Sequence, residues 1–407
     1  MRGARLYLYD DATARSWEPF ALTRPAGELL MGAHTFRERT ERILGLTCAG
    51  HITSPHLATF EEPGAPPVVE PDRIPDDTAR LFLSSRFVPA ADTAFTPPAG
   101  AAVLTTADGV AGWYAPPGSP GPDPEWLEAP STGRAADLHL SGRMVAQVWD
   151  LVAGNPAQVE ADFEVAESRS SGSVDPGGFA AVGGRLGRLR VGRGVSIEPN
   201  VVLDFTHGPI WLDDGVTVKA FTLLAGPAYI GRGTTLLGGP YGGCSVGPVC
   251  KVHGELEESV ILGYSNKAHD GFIGHAYLGR WVNLGAMTTN SDLKNNYGEI
   301  RIWTPDGDAG TGLTKLGCLL GDHVKTGIGA LLNTGTVIGA GSNVYGTDMP
   351  PTFVPPFSWG TGSELVAYDL TKFLEVAETA MARRDVVLTE GMRGTLAAAW
   401  HRGRSQA

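Results

Sequence analysis

The chain is poor in cysteine and contains no long apolar run, and each shortage excludes a class of protein. Four cysteines in 407 residues, none in a paired zinc-ligand spacing, exclude a disulfide scaffold and favour reduced, buried thiols. No apolar stretch is long enough to span a membrane, and the N-terminus lacks the charged-then-apolar pattern of a secretion signal. We therefore expect a cytoplasmic protein that has no membrane partner.

Positive charge is also scarce. Lysine and arginine number 32 against 44 aspartates and glutamates, which leaves a net charge of −12. An acidic surface repels the phosphate backbone, so general nucleic-acid binding is excluded. A local basic pocket for a phosphorylated small molecule remains compatible with this balance.

Glycine, in contrast, is abundant, and its distribution indicates a repeat. The chain has 55 glycines, concentrated within residues 183–346, where apolar residues recur every six positions. A period of six describes one side of a prism plus its corner, and stacked coils bury a ladder that no single coil could bury alone. We therefore predict a β-helix. The recurring positions are Val191, Ile197, Leu203, Ile210, Val216, Ile230, Leu236, Phe272, Leu278, Leu284, Leu320, Leu332, Ile338 and Val344, with Thr326 in one polar slot.

The N-terminal part has the alternation of strands and helices that is typical of an α/β domain. Apolar runs predict strands, and spaced apolar residues between charges predict amphipathic helices. The expected strands are Leu6–Tyr9, Arg80–Val88 and Ala101–Thr105, and the expected helices are Thr35–Leu44, Ala136–Leu151 and Pro156–Phe163.

Changes in composition divide the chain into four segments. We expect an α/β domain at 1–165, a Ser- and Gly-rich linker at 166–184, and the β-helix at 185–349. Residues 350–407 begin with a proline-rich exit and continue as a helical tail, for which Asp369 is the expected N-cap.

In the first segment, the loop after the first strand contains the candidate ligand-binding residues. Asp10 and Asp11 follow the strand directly, where open α/β sheets bind ligands, and two carboxylates could hold Mg²⁺ against a triphosphate. The same loop contains Arg15, Arg24, Gly27 and Glu28. Arginine matches phosphate oxygens, so a nucleotide site is one interpretation. In the other, the aspartates cap a turn and Arg24 pairs with Glu28.

In the third segment, a polar cluster interrupts the repeat. Its members are Lys251, Lys267, His269, His275, Tyr277, Asn283 and Asn290. A histidine there could deprotonate an amine or hydroxyl nucleophile, lysines could hold a phosphate, and asparagines suit sugar hydroxyls. Taken singly, each residue fits an exposed polar side chain on a prism face better than a catalytic role. Clustering favours a catalytic site.

The segments GPVCKVHGELEE and HDGFIGHAYLGRWVNLGAMTTN resemble the left-handed β-helix domain of bifunctional N-acetylglucosamine-1-phosphate uridylyltransferase/glucosamine-1-phosphate acetyltransferase enzymes, in particular a divergent branch of sugar nucleotidyltransferases. The resemblance implies that His269 is the general base. It implies further that Lys251 holds the sugar phosphate, that Asn283 contacts the sugar, and that the Ala286 backbone faces acetyl-CoA. The remaining residues that it implies to bind substrate are Lys267, Asn296 and Tyr297.

The N-terminal segment resembles the same branch at Asp10-Asp11, at Thr23-Arg24-Pro25 and at Trp149-Asp150-Leu151. Arg15 and Arg24 stand where the family places a signature arginine and lysine. The resemblance therefore implies an enzyme, a transferase with sugar phosphate, nucleoside triphosphate and acyl-CoA as substrates. Mg²⁺ would be its cofactor, acetyl-CoA its co-substrate, and a nucleotide sugar of the UDP-N-acetylglucosamine type its product. A homotrimer is expected on the same basis.

Two alternatives stay open. The β-helix could be a structural, oligomerising or effector-binding tail on a nucleotidyltransferase. The chain could also be a zinc enzyme of the γ-carbonic-anhydrase type, which binds zinc through three histidines. That family separates two of them by four residues, whereas five lie between His269 and His275.

Overall fold

A computed structural model describes residues 3–166, 178–183 and 186–405. The chain folds into two compact units that are not continuous in sequence. The first contains the residues up to Leu29, His34–Val148 and Thr389–Arg402, and the second contains Leu30–Ala33, Trp149–Leu388 and the residues from Gly403. Of the expected linker at 166–184, residues 167–177 and 184 lie outside the described part of the chain.

The first unit is built on a mixed six-stranded sheet. Its strands lie in the order Cys48–Ile52, Arg5–Tyr9, Arg80–Ser84, Gly109–Ala115, Ala102–Thr106 and Ala136–His139. The first three are parallel, so their carboxyl ends share one edge. Alternation along Arg5–Tyr9 places Leu6 and Leu8 in one apolar core and Tyr7 and Tyr9 in another, one on each face of the sheet. Short strands lie at His34–Thr35, Phe87–Pro89 and Gly142–Met144.

The α-helices in the N-terminal part of this unit are short. They are α1 (Ala12–Arg15), α2 (Phe36–Leu44) and α3 (Pro124–Glu128). Helix α2 confirms the expected amphipathic helix. Thr35 and Glu38 cap its first turn reciprocally, and Gly45 ends it with a φ of 64°.

Two expectations for this unit need correction. The strand expected at Arg80–Val88 ends at Ser84, and Phe87–Pro89 pairs antiparallel with Gly142–Met144 in a separate two-stranded sheet. The helix expected at Ala136–Leu151 is wrong for most of its length. Ala136–His139 pairs with Ala102–Thr106 instead, and Gly142 has a φ of 143°, which no α-helix accommodates.

The second unit is a parallel β-solenoid of about ten turns with three faces. The first face contains Phe179–Val182, Val201–Asp204, Thr222–Ala225, Gly239–Gly242, Glu255–Glu257 and Phe272–Gly274. The second contains Leu189–Val191, Ile210–Leu212, Ala228–Ile230, Ser245–Val246, Val260–Gly263, Tyr277–Arg280, Leu319–Leu320, Val337–Ile338 and Phe353–Val354. The third contains Ser196–Ile197, Thr217–Val218, Thr235–Leu236, Lys251–Val252, Asn266–Lys267, Lys325–Thr326, Asn343–Val344, Ser358–Gly360 and Leu365–Ala367.

The sixfold repeat places its apolar residues in one continuous core, as the sequence predicts. Leu278, Leu284, Leu320 and Ile338 are all at most 2% exposed there. Phe272 is the exception, because the inward position of its strand belongs to Ile273, which is fully buried. Successive residues of a strand point to opposite sides, so a shift of one position turns Phe272 outward.

One insertion interrupts the stack between the second-face strands Tyr277–Arg280 and Leu319–Leu320. It contains an antiparallel hairpin of Arg301–Thr304 and Gly307–Gly310. Short strands at Thr289–Asn290 and Leu331–Leu332 pair with each other, and Leu30–Met31 is a further short strand of this unit.

Helices complete the second unit. They are α4 (Asp150–Ala153), α5 (Asn155–Val165) and α6 (Leu370–Ala382). The final helix of the chain, α7 (Glu390–Ser405), belongs to the first unit as far as Arg402. Asp369 caps α6 as predicted, since its side chain accepts a hydrogen bond from the Lys372 amide at 2.9 Å. The expected fold class is thus confirmed: an α/β N-terminal domain, a parallel β-helix and a C-terminal helical tail. The four cysteines are free and buried. Within the described ranges, no helix is both long and apolar enough to cross a bilayer.

Candidate functional site

At the edge of the sheet where the parallel strands end, Asp10 occupies the position that the sequence predicts. Its Oδ2 accepts hydrogen bonds from Thr53 Oγ1 at 2.5 Å and from the Ala26 amide at 3.2 Å. Burial raises the pKa of Asp10, and the side chains of Ser85 and Thr53, the charge of His51 and the Ala26 amide only partly offset the rise. Within the described ranges, Oδ1 is buried without a hydrogen-bond partner. Asp10 therefore offers one oxygen atom to a ligand.

The carboxylate of Asp11 already has hydrogen-bond partners. It caps α1 by accepting from the Ala14 amide, and Arg86 grips the same carboxylate through Nε at 2.9 Å and Nη2 at 2.6 Å. A cation at this edge would consequently meet one available carboxylate, that of Asp10, rather than the pair that the sequence predicts.

The two arginines expected to bind phosphate also have carboxylate partners. Arg15 on α1 forms an ion pair with Glu128. Arg24 is only 2% exposed, and its Nη1 lies 2.9 Å from Glu62 Oε1. A phosphate would have to compete with these carboxylates.

Gly27 and Glu28 support the same edge from inside the unit. Glu28 Oε1 accepts from Arg37 Nε at 2.6 Å and lies 2.7 Å from His51 Nε2. Burial alone would raise the pKa of Glu28, but the hydrogen bonds and charges of His51 and Arg37 outweigh it and hold the pKa at about 2. A Cβ at Gly27 would lie 2.8 Å from His51 Cε1, so this close packing requires glycine.

On the third face of the solenoid, four polar residues form a ladder across successive coils. Lys251 pairs in register with Asn266, Asn266 with Asn283, and Asn283 with Lys325. Rungs of a parallel sheet lie ~4.8 Å apart, so the ladder extends over about 14 Å. It places a lysine at each end and two amides between them.

A cavity of about 390 Å³ lies between this ladder and α6. Two residues that the sequence predicts to bind substrate, Lys251 and Asn283, meet in its lining. The amide of Asn266 donates to Asn283 Oδ1 at 3.0 Å and orients both side chains. The full lining is Lys251, Tyr264, Asn266, Trp281, Val282, Asn283, Lys325, Val376, Thr379, Ala380, Arg383 and Arg384.

An aromatic column holds α6 alongside the third face. The Tyr264 and Trp281 rings stack at 4.5 Å, and Trp281 stacks on His323 at 6.2 Å. All three residues occupy prism corners with positive φ, which lets the chain turn at each coil. Phe373 of α6 packs edge-on against His323 and Phe357, so the helix is fixed by ring contacts.

Lys267 ends the third-face strand Asn266–Lys267, His269 follows two residues later, and both are outside the lining of this cavity. Lys267 points inward, and its ammonium donates to the backbone oxygens of His253 at 2.5 Å, Gly271 at 2.7 Å and His269 at 3.3 Å. Burial lowers the pKa of Lys267 to about 8. Three carbonyl partners favour a structural role for this lysine, whereas the imidazole of His269 is exposed.

The other residues expected to bind substrate are likewise absent from the lining of this cavity. The carbonyl of Ala286 accepts from the Gly329 amide at 2.7 Å. Asn296 accepts from the Gly298 amide at 3.0 Å, and Tyr297 is 73% exposed on the insertion.

A second cluster surrounds His275. Its Nδ1 lies 2.7 Å from Asp292 and its Nε2 lies 3.3 Å from Glu258. Burial would lower the pKa of His275, but the two carboxylates outweigh it and raise the pKa. Ligand atoms of Glu257, Glu258 and His275 all lie within 4.8 Å of one another, so the group could hold a metal ion. Both ring nitrogens nevertheless already face carboxylates, which explains the cluster without zinc.

Among the charged and amide side chains that line the cavity, sequence reasoning missed four: Asn266, Lys325, Arg383 and Arg384. Asn266 and Lys325 could have been found by aligning coils, but coil length varies and the insertion separates Lys325 from the earlier rungs. Nothing in the sequence indicates which face α6 covers.

Comparisons with known proteins find matches to parts of the chain. Residues 6–171 match a family model described as sugar nucleotidyl transferase. A bifunctional sugar-1-phosphate nucleotidylyltransferase/acetyltransferase from Sulfurisphaera tokodaii is 33% identical over 91 residues, which is 22% of this chain and 23% of the relative. The bifunctional protein GlmU of Nitrosospira multiformis is 31% identical over 133 residues, 27% of this chain and 28% of the relative. The chain thus spans about a quarter of the length of these relatives.

Among solved structures, an Arabidopsis UDP-N-acetylglucosamine acyltransferase is similar at 12% identity and a TM-score of 0.31. The match covers 52% of this chain and 80% of the plant protein.

Proposed function

We propose that the chain is a transferase of nucleotide-sugar synthesis with two activities. The N-terminal domain would transfer a nucleotidyl group from a nucleoside triphosphate to a sugar 1-phosphate. The solenoid would transfer an acyl group from acetyl-CoA to the amine of an amino-sugar phosphate, so that the final product is of the UDP-N-acetylglucosamine type.

The observation that carries the proposal is the ladder of Lys251, Asn266, Asn283 and Lys325 in the cavity under α6. A lysine offers a charge to a phosphate, and the neighbouring amides offer donors and acceptors to sugar hydroxyls. The same cavity is thus suited to the two chemical parts of a sugar phosphate.

In the acyl transfer, the amine nitrogen of the sugar attacks the thioester carbonyl of acetyl-CoA. The new C–N bond forms as the C–S bond breaks, the amine proton passes to the ring of His269, and coenzyme A leaves as a thiolate that takes this proton from the ring. His269 lies on an exposed turn and carries no ion pair to a described carboxylate, so its ring is accessible to such a proton. Lys251 would hold the sugar phosphate and Asn283 the ring.

In the nucleotidyl transfer, a phosphate oxygen of the sugar attacks the α-phosphorus of the triphosphate, and pyrophosphate leaves. Asp10 Oδ1 is the protein atom suited to hold Mg²⁺ there, and the cation would neutralise phosphate charge. Positioning and charge neutralisation would supply most of the acceleration.

The first experiment measures coenzyme A thiol released from acetyl-CoA with glucosamine 1-phosphate. We expect wild-type protein to release thiol and His269→Ala to lose at least ~100-fold of that rate, the usual range for a general base. His253→Ala is the control, because its imidazole pairs with Asp270 on the same side of the solenoid. Equal rates for wild type and His269→Ala would contradict the assigned base.

A second candidate function is a nucleotidyltransferase whose solenoid binds an effector. It is favoured by the position of His269 outside the cavity lining. Pyrophosphate release from a nucleoside triphosphate and sugar 1-phosphate, with no thiol release from any amino sugar, would support this alternative.

A further inference from the structure

Lys267 is a buried cation in an apolar column of the solenoid core. On the third face, the inward positions of the preceding coils are occupied by Val218, Leu236 and Val252, and Val252 pairs in register with Lys267. The three apolar residues are fully buried, and Lys267 is 3% exposed. Burial of an ammonium group costs free energy that an apolar side chain at this position would not cost. Packing of the core therefore does not explain the lysine.

The hydrogen bonds of Lys267 all go to the backbone at one corner of the solenoid. Its three N–H groups have three acceptors, the carbonyl oxygens of His253, His269 and Gly271, at 2.5, 3.3 and 2.7 Å. Within the described ranges its ammonium has no other hydrogen bond and no ion pair. Two of the acceptors belong to the corner segment, residues 268–271, which follows Lys267 in the chain. The lysine thus holds this segment from inside the solenoid.

Gly254 leaves the space that the ammonium occupies. It has a φ of 79°, and a Cβ at this position would lie 2.9 Å from Lys267 Nζ and 3.0 Å from the Gly271 oxygen. Any side chain there would therefore displace the ammonium or the corner segment.

The corner segment contains His269, the proposed base. Within the described part of the chain, the His269 ring forms no hydrogen bond, ion pair or ring contact. Its position therefore depends on the backbone to which it is attached. A general base must lie within hydrogen-bond reach of the proton that it accepts, so a shift of this backbone would lower the rate.

Amides of the two neighbouring coils donate to the same segment. The Met287 amide donates to the Asp270 carbonyl at 2.8 Å, and the Glu255 amide donates to the Gly271 carbonyl at 3.2 Å. The strength of both hydrogen bonds depends on where the segment lies. Exchange of these two amides with solvent therefore reports on its position.

We propose that Lys267 is a positioning residue for the acyl transfer: its ammonium fixes the corner segment and thereby places the His269 ring against the amine of the sugar. The inference rests on the proposed function, because the lysine acts through the proposed base. The sequence predicts instead that Lys267 binds substrate, and the two roles differ in their kinetics.

The test compares the kinetics of thiol release in the wild type and in Lys267→Met, which keeps an unbranched apolar chain and removes the three donors. We expect kcat to fall by about 10- to 100-fold, the effect of misplacing a reacting group by ~1 Å, while the KM of each substrate stays within ~3-fold. Leu236→Met is the matched control, since it places a methionine at the inward position of the same face two coils earlier. Its kcat should equal that of the wild type.

Hydrogen exchange followed by mass spectrometry tests the corner segment without any substrate. The amides of Glu255 and Met287 should exchange at least ~10-fold faster in Lys267→Met than in the wild type, because their acceptors are no longer fixed. In Leu236→Met both amides should exchange as in the wild type. Unfolding temperatures verify that the variants are folded.

Gly254→Ala is a second variant, which keeps the lysine and displaces the ammonium or the corner segment through the new Cβ. It should lower kcat in the same way, and it provides the test if Lys267→Met does not fold.

Three results would overturn the inference. An unchanged kcat in the folded variant would show that the position of His269 does not depend on the lysine. A raised KM for glucosamine 1-phosphate at unchanged kcat would assign Lys267 to substrate binding. Equal exchange of the two amides in the wild type and Lys267→Met would show that the segment is fixed without the lysine. Absence of thiol release from the wild type would contradict the proposed function instead, and the exchange rates would still decide whether the lysine fixes the segment.

Discussion

At the scale of single residues, two buried carboxylates of the first unit each have a charged partner. Glu28 is 2% exposed between Arg37 and His51, and Asp11 is gripped by Arg86. Burying an ion without its partner costs several kcal/mol, so each of these pairs is coupled to folding. The sequence identified Asp11 and Glu28 as interesting but could not reveal their partners, which are distant in the chain.

Glu28 yields a prediction on acid stability. Its pKa is lowered to about 2 from 4.5, so its contribution to the free energy of unfolding is complete above pH 4.5 and is lost as the pH falls toward 2. At neutral pH we expect Glu28→Gln to destabilise the first unit by about 3 kcal/mol, measured by denaturant unfolding.

The control for that measurement is Glu70→Gln, which removes an exposed carboxylate paired with Arg73. Exposed pairs contribute about 0–1 kcal/mol, so the midpoint should hardly move. A Glu28→Gln protein as stable as the wild type at pH 7 would show that the buried network is not coupled to folding.

At the scale of elements, the insertion between coils is fastened at its two ends. Asp292 at its start holds His275 Nδ1 at 2.7 Å, and the Gly317 amide at its end donates to the His275 carbonyl at 2.8 Å. His275 therefore binds both ends of the insertion. These contacts join residues that are brought together only by the stacking of the coils.

The contacts of His275 predict that the stability of the solenoid depends on pH. The pKa of His275 is raised above 6.5, so its contribution is fully present below pH 6.5 and is lost as the pH rises through the folded-state value. We expect His275→Gln to lower the stability of the solenoid by about 1 kcal/mol at pH 6, an amount that allows for solvent around Glu258, and by less at pH 9.

Thermal unfolding followed by circular dichroism at both pH values measures this difference. His253→Gln provides the comparison, because its partner Asp270 is 73% exposed and its effect should be small at either pH. An effect of His275→Gln that grows with pH would contradict the assigned protonation.

At the scale of the whole molecule, the expected assembly state is a homotrimer. The resemblance found in the sequence implies a homotrimer, and the cavity under α6 takes its lining from one chain. The two statements are compatible, because a trimer can present further residues beside a cavity that each chain already forms.

We expect light scattering coupled to size exclusion to give three times the chain mass of 42.8 kDa. A single-chain mass at all concentrations would contradict the trimer.

The sequence by itself determined the periodic core and the ends of several elements. Apolar residues such as Leu278 and Leu320 repeat with the coil and must be buried, and Thr35 and Asp369 cap helices through contacts within four residues. These features are local, so spacing alone reveals them. Phe272 was wrongly assigned to the core, because a six-residue period does not fix the register of a strand to within one residue.

The tertiary structure alone decided which polar residues share a site. Lys251, Asn266, Asn283 and Lys325 become neighbours because coils of unequal length stack in register, and Arg383 and Arg384 join them because rings hold α6 on that face. Both depend on contacts between residues far apart in the chain, which composition and period do not encode. The sequence identifies candidate catalytic and binding residues, but it does not show which of them lie together.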